Sequence, residues 1–218
     1  MKLVWCPETA TKAYIDTVKA LSDGHNGPSV GSNVAELVAA MAGGWRAQVI
    51  LESWSSGDGV EASLGLSIAA SHTRGRHVCV VPDEASRSEY ISAVSAAGAA
   101  VSAEVVVMGE EVGGIAEGVD FLVVDGKRKE ETGRVMGLAR MGGRGAVVVC
   151  VGGGGTRIRW RGLVGEGRRV VRSVVLPIGR GIEIVHVAGL EGTVVPGRGR
   201  WIKHFDQVTG EEHVFRRP

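Results

Sequence analysis

Five short apolar runs alternating with helical stretches constrain this chain more than any other feature. The runs are Gln48–Leu51, His77–Val81, Glu104–Met108, Val119–Val124 and Ala146–Cys150, most of them rich in valine. Helix-like stretches at Val60–Ala70, Ser86–Ala97 and Glu130–Met141 separate them. Strands that are apolar at successive positions, not at every second one, are buried on both faces. Runs of that kind alternating with helices predict an α/β protein whose parallel sheet carries helices on both sides. Two further runs, Val170–Leu176 and Glu183–Val187, flank Pro177-Ile178-Gly179-Arg180-Gly181. So short a connection joins only antiparallel neighbours. The predicted fold is a doubly wound, mostly parallel sheet: five parallel strands closed by a terminal antiparallel hairpin.

Before the first strand, Pro7 suits a helix start, and Ala10, Tyr14, Val18 and Leu21 recur as one apolar stripe. Ser22–Ser29 reads as a loop, and a second helix fits Val34–Met41 with Gly43-Gly44 ending it. After the main sheet, Arg200–Asp206 and Glu211–Phe215 bracket Gln207-Val208-Thr209-Gly210, a second hairpin that sets His204 opposite His213. Residues 1–189 therefore read as the main domain and 190–218 as a loop and hairpin extension.

With 44% hydrophobic and 22% charged residues, the composition is that of a soluble globular domain. No apolar run reaches the roughly 20 residues that span a bilayer, so no membrane partner is expected. The start, Met1–Glu8, lacks the apolar segment of a secretory signal. Cys6, Cys79 and Cys150 form no ligand pair and leave one odd, which predicts a reducing cytosol or nucleus. The net charge of +1 hides an asymmetry. Up to Asp125 there are 7 basic and 16 acidic residues, a balance of −9; after it there are 18 and 8, a balance of +10. A basic half suits nucleic acid, an acidic surface or an anionic substrate, or it is simply a solvated face.

Ligands of doubly wound sheets bind beyond the carboxyl ends of the strands. After the first strand comes Glu52-Ser53-Trp54-Ser55-Ser56-Gly57-Asp58-Gly59, which is not a dinucleotide fingerprint. Asp58 and Glu61 have capping-box spacing, so a carboxylate is expected on the helix-end N–H groups that a phosphate would need. A ligand bearing an amine and a sulfonium is tolerated there. Asp83 and Glu84 follow the second strand, where an acid can reach ribose hydroxyls, and Gly109-Glu110 follows the third. Asp125 follows the fourth with Lys127 as its expected partner, either a structural salt bridge or a functional pair. His25, His72, His77 and His186 show no ligand spacing; His204 and His213 come close enough in the tail hairpin to share a metal but have no third ligand, and no metal site is predicted. Thr156–Gly162, read as extended, shows Arg157, Arg159 and Arg161 on one face and Ile158 and Trp160 on the other. With Arg168 and Arg169 these arginines can track phosphates while Trp160 stacks on a base, or they keep a strand edge soluble.

Val119–Asp125 followed by Gly145–Cys150 resembles the last parallel strands of class I S-adenosylmethionine-dependent methyltransferases. Leu176–Ile184 resembles the terminal hairpin of the caffeoyl-coenzyme A and catechol O-methyltransferase branch, and the similarity runs from Val34 to Val187. The opening Pro7–Asp16 and the closing Arg200–Asp206 resemble a plant family catalogued as a domain of unknown function. The resemblance implies a methyltransferase-like Rossmann fold and S-adenosylmethionine as cofactor. It places Glu52, Gly57, Asp58 and Gly59, with Trp54 and Ser55 in the same loop, against the methionine portion. Asp83, Glu84, Gly109 and Glu110 fall near ribose and adenine, and Asp125 and Lys127 nearest the acceptor.

This sequence departs from that branch at three places. Trp54 and Ser55 stand where the branch has glycine, Pro82 stands at the ribose acid, and Cys150 and Val151 replace an Asp-Asn metal pair. One remaining oxygen ligand, Asp125, does not hold Mg²⁺ or Ca²⁺, so transfer, if any, is expected to be metal-independent. Trp54 is expected to fill part of the cofactor's place, so that Trp54→Gly would bind S-adenosylhomocysteine more tightly. The competing expectation is a non-catalytic module that binds protein or nucleic acid through the basic half.

Overall fold

All five apolar runs become strands of one sheet in the computed structural model, which describes residues 5–23, 30–98, 101–109, 116–152, 158–165, 167–189, 201–205 and 212–216. Two helices, α1 (Pro7–Asp23) and α2 (Val30–Trp45), come first. There follow β1 (Val49–Ser53), α3 (Glu61–Thr73), β2 (Arg76–Val81), α4 (Glu84–Ala96) and β3 (Glu104–Val107). The second half holds β4 (Glu117–Val119), β5 (Phe121–Asp125), α5 (Lys129–Leu138), β6 (Arg140–Met141) and β7 (Gly145–Val151). It closes with β8 (Val170–Leu176), β9 (Ile182–Ala188), β10 (Trp201–Phe205) and β11 (Glu212–Arg216).

The main sheet has seven strands in the order β3-β2-β1-β5-β7-β9-β8. The first five in that order are parallel, whereas β9 is antiparallel to both β7 and β8. Strand order therefore reverses between β1 and β5, where the chain builds outward on one side and then returns to the other. Side chains alternate across the sheet. Phe121 and Val123 of β5 pack with Ile50, Val147 and helices α1, α2 and α3, while Leu122 and Val124 pack with Val78, Val148 and Met136 of α5. Helix α4 covers a smaller cluster of Trp54, Cys79, Val81 and Tyr90.

Helices α2 to α4 are offset from their predicted ends by up to four residues, and three boundaries carry a structural lesson. Helix α2 runs through Gly43-Gly44 to Trp45 and ends at Arg46, whose φ is +54°. The two glycines serve close packing instead: a Cβ on Gly43 would lie 2.8 Å from the Thr9 carbonyl oxygen, and one on Gly44 would collide with the Trp5 ring. Helix α5 stops at Leu138 because Arg140–Met141 pairs with Glu117–Val119 as a short parallel ladder. Strand β5 begins only at Phe121, although the Asp120 backbone still donates to the Val49 carbonyl and accepts from the Val147 N–H; its side chain pins the sheet from below. Its buried carboxylate accepts from the backbone N–H groups of Gln48 (3.0 Å) and Val49 (3.2 Å) and from Arg144. Burial pushes this carboxyl above its usual range, against the pull of Gln48, Arg144 and Val49. Arg144 in turn lies 5.5 Å over the Trp45 ring.

The tail hairpin forms in the predicted register, with Ile202 opposite Phe215 and His204 opposite His213. Its turn, Gln207–Gly210, and the loop Pro196–Arg200 lie outside the described residues. No helix among the described residues is long and apolar enough to cross a membrane.

Candidate functional site

Because strand order reverses between β1 and β5, the loops leaving their carboxyl ends part in opposite directions and open a crevice. A cavity of about 420 Å³ lies there, lined by Glu52–Trp54 and Gly57–Gly59 after β1, by the first turn of α3, and by Val123–Asp125 and Lys127. Val151-Gly152 after β7, Arg180 in the β8–β9 turn, and Gly31 and Val34 of α2 complete it.

Glu52 is 3% exposed and is the only carboxylate on the cavity that is so deeply buried among the described residues. A buried acid needs donors, and it has them: Ser63 Oγ donates to Oε1 at 2.5 Å and the Tyr90 hydroxyl at 3.4 Å. His77 Nε2 lies 3.3 Å from the same oxygen without the alignment of a hydrogen bond, and its Nδ1 pairs with Ser67 Oγ at 2.8 Å. Burial and the Glu52 charge push the neighbouring Tyr90 hydroxyl and Cys79 thiol well above their usual ranges, which keeps both neutral. Glu52 is thus a buried carboxyl held under the cavity by hydroxyl donors.

The β1–α3 loop is tied down on three sides. Arg128 Nη1 donates to Asp58 Oδ2 at 2.6 Å and lies 3.4 Å from Asp125 Oδ2, while Nη2 donates to the Ser56 carbonyl at 3.2 Å. Ser55 Oγ donates to Glu131 at 2.7 Å, and Glu89 accepts from Ser56 Oγ and from the Gly57 N–H. From below, the Trp54 indole N–H donates to the Gly59 carbonyl at 3.3 Å. The ring itself is 3% exposed and meets Tyr90 edge-on at 5.2 Å.

Several predicted roles change. Asp58 does not cap α3: the residue before that helix, Val60, offers no side-chain cap, and the Asp58 carboxylate accepts from Ser55 N and Arg128. At the start of α3 the Glu61 carboxylate lies against Gly59 and Gly31, on the cavity wall. Lys127 meets Asp125 through its backbone N–H, which donates to Oδ1 at 2.9 Å, and not through its ammonium. Glu52, Trp54, Gly57, Asp58, Gly59, Asp125 and Lys127 all border the cavity, with Ser55 buried just behind it. Asp83, Glu84 and Gly109 do not border it. Asp83 caps α4 by accepting from the Ser86 N–H at 2.8 Å, which holds its carboxyl below the usual range, and Glu84 pairs with Arg87. Glu110 lies outside the described residues.

The arginine segment departs furthest from its predicted form. Arg157 lies outside the described residues, and Trp160–Gly162 is a single 3₁₀ turn, not an extended stretch. Trp160 is 5% exposed within the main core, so it cannot stack on a base. Arg168 donates to the Met141 and Gly142 carbonyls and is structural; Arg159, Arg161 and Arg169 are exposed. Cys150 is also buried in the core, which pushes its thiol up to about 12. Among the described residues, no group of three or more His, Cys, Asp or Glu is placed to hold a metal ion.

The partners of Glu52 and the loop ties were not visible in sequence, because Ser63, His77 and Tyr90 arrive from three different elements. Only Arg128, three residues after Asp125, carried a local signal. The family described as "Protein of unknown function (DUF1442)" matches residues 1–217. The chain belongs to the DUF1442 family. No curated protein matches it. Among solved structures, this DUF1442 chain is similar to a Staphylococcus aureus protein assigned as a caffeoyl-CoA O-methyltransferase. The TM-score is 0.51 at 10% identity, over 80% of this chain and 90% of that one. It is also similar to an O-methyltransferase from Bacillus cereus in complex with SAH (S-adenosylhomocysteine), with a TM-score of 0.47, 15% identity and coverage of 86% and 93%. The DUF1442 chain therefore has the Rossmann-like fold of a methyltransferase, with the mostly parallel sheet and antiparallel end that its sequence predicts.

Proposed function

We propose that this DUF1442 protein binds S-adenosylmethionine, or a nucleoside of that kind, in the cavity between β1 and β5. The observation that carries this reading is the buried Glu52 carboxylate beneath a cavity sited where the strand order reverses. The ligand's ammonium and sulfonium are cations without a phosphate, and they suit Glu52 and Asp58. When bound, such a ligand supplies an electrophilic methyl group. The chain's own residues would then do three things: Glu52 holds a counter-charge, Arg128 and Trp54 fix the loop, and Asp125 and Lys127 border the acceptor side. Ribose is not assigned to Asp83, whose carboxylate is committed to α4.

Any transfer is proposed to proceed without a divalent metal, because both Asp125 oxygens are engaged, one by the Lys127 N–H and one facing Arg128. The alternative of a nucleic-acid module keeps three exposed arginines but loses its stacking aromatic to the core.

Calorimetric titration with S-adenosylmethionine and S-adenosylhomocysteine tests this. Saturable binding is expected, weakened about tenfold or more in Glu52→Gln, since hydrogen bonds to charged groups contribute about 1.5–3 kcal/mol. Millimolar Mg²⁺ should change neither the affinity nor the thermal midpoint. Absence of binding refutes the cofactor reading. A Mg²⁺-dependent midpoint rise abolished by Asp125→Ala refutes the metal-independent one.

A further inference from the structure

Charge divides the cavity into two sides. Glu52, Asp58 and Glu61 stand on the side of β1 and α3, whereas the cations Lys127 and Arg180 stand, with the single carboxylate of Asp125, on the side built by β5, β7 and the β8–β9 turn. An acid beside a lysine ordinarily takes its ammonium. Here Asp125 is already engaged, and neither Lys127 nor Arg180 has an ion-pair partner among the described residues.

The backbones that carry these two cations are joined. The Gly126 N–H donates to the Val151 carbonyl at 2.8 Å, and the Gly152 N–H donates to the Gly181 carbonyl at 2.8 Å. Gly152, with φ +77°, also makes room for the lysine and for Asp125: a Cβ there would lie 3.3 Å from Lys127 Cε, 3.5 Å from Asp125 Oδ1 and 3.6 Å from Lys127 Cγ. The Lys127 stem is therefore laid across bare backbone at the end of β7, along the cavity wall. A long cationic stem buries its methylenes and keeps its charge at the water interface. In this place that interface is the cavity.

We propose that Lys127 and Arg180 form an anion subsite of this cavity that takes the carboxylate or phosphate of a small second ligand. On the reading above that ligand is the methyl acceptor; the anion subsite itself does not depend on that reading. Lys127 and Arg180 are both exposed cations, and their hydrogen-bonded backbone segments offer an anion a pair of donors, with Arg180 able to bind it bidentately.

The test uses the whole protein without nucleoside, and the probes are inorganic phosphate and acetate at constant ionic strength. One of the two should bind saturably by calorimetry and raise the thermal midpoint; phosphate identifies a phosphorylated ligand and acetate a carboxylate. Lys127→Met and Arg180→Met should each weaken that binding about tenfold or more, and Lys127→Arg should restore part of it. Arg169→Gln, an exposed arginine away from the cavity, should bind as the wild type does. Binding of neither anion, or equal binding by the wild type and both methionine variants, overturns the subsite. A parallel titration of the wild type with S-adenosylhomocysteine separates the two claims. Anion binding without nucleoside binding upholds the subsite and removes the cofactor reading, and the reverse result does the opposite.

Discussion

Trp54→Ala is expected to destabilise the protein by about 3–5 kcal/mol, the usual cost of removing a large buried aromatic. The ring is 3% exposed, packs with Cys79, Val81 and Tyr90, and meets Tyr90 edge-on at 5.2 Å. The indole N–H also holds the Gly59 carbonyl, so the variant loses the brace beneath the β1–α3 loop. Trp54→Phe, which keeps most of the packing but not the donor, should cost less and still loosen the loop. Urea unfolding monitored by circular dichroism gives the stabilities. The sequence alone predicts the opposite use of this residue, as a plug whose removal improves ligand binding. A variant as stable as the wild type that binds S-adenosylhomocysteine more tightly would restore that view.

Asp120→Ala should lower stability by about 2–3 kcal/mol. Its removal leaves the N–H groups of Gln48 and Val49 without their acceptor; both bonds are part-buried, so each loss falls at the low end of the about 1–3 kcal/mol that a buried donor costs. The Arg144 guanidinium is partly exposed and regains water, so it adds little. Burial already disfavours the ionised Asp120, which offsets part of the loss and holds the total below a full two-donor penalty. Because the site lies at the start of β1 and β5, opposite the cavity end, the variant should unfold more readily yet bind ligand normally when folded. Unfolding at wild-type denaturant concentrations would show that the carboxylate does not pin the two strands.

What could be read in advance follows from range in the chain. Continuous apolar runs are local, and from β1 to β9 they foretold every strand of the main sheet, including the antiparallel closure around Pro177–Gly181. The same runs could not tell Asp120 from its apolar neighbours, because its partners are 72 and 24 residues away. Gly43-Gly44 looked like a stop signal because the helix-ending role of glycine is local, whereas the approach of α1 that requires small residues there is not. Trp160 had the same ambiguity: an aromatic among arginines reads as a stacking platform until the core is known to enclose it. In the cavity, the loop after β1 and the Asp125–Lys127 pair were legible by topology. Arg180 was not, since only the folded β8–β9 turn brings it alongside Lys127.

The central claim is that a nucleoside of the S-adenosylmethionine kind binds between β1 and β5. Backbone amide resonances of the isotope-labelled protein, recorded while S-adenosylhomocysteine is added, test it most directly. Saturable shifts are predicted at Glu52, Gly57 to Ser63, Asp125 to Lys127 and Gly152, with Arg159, Arg161 and Arg169 unmoved. Shifts confined to those arginines, or none at saturating nucleoside, would contradict it.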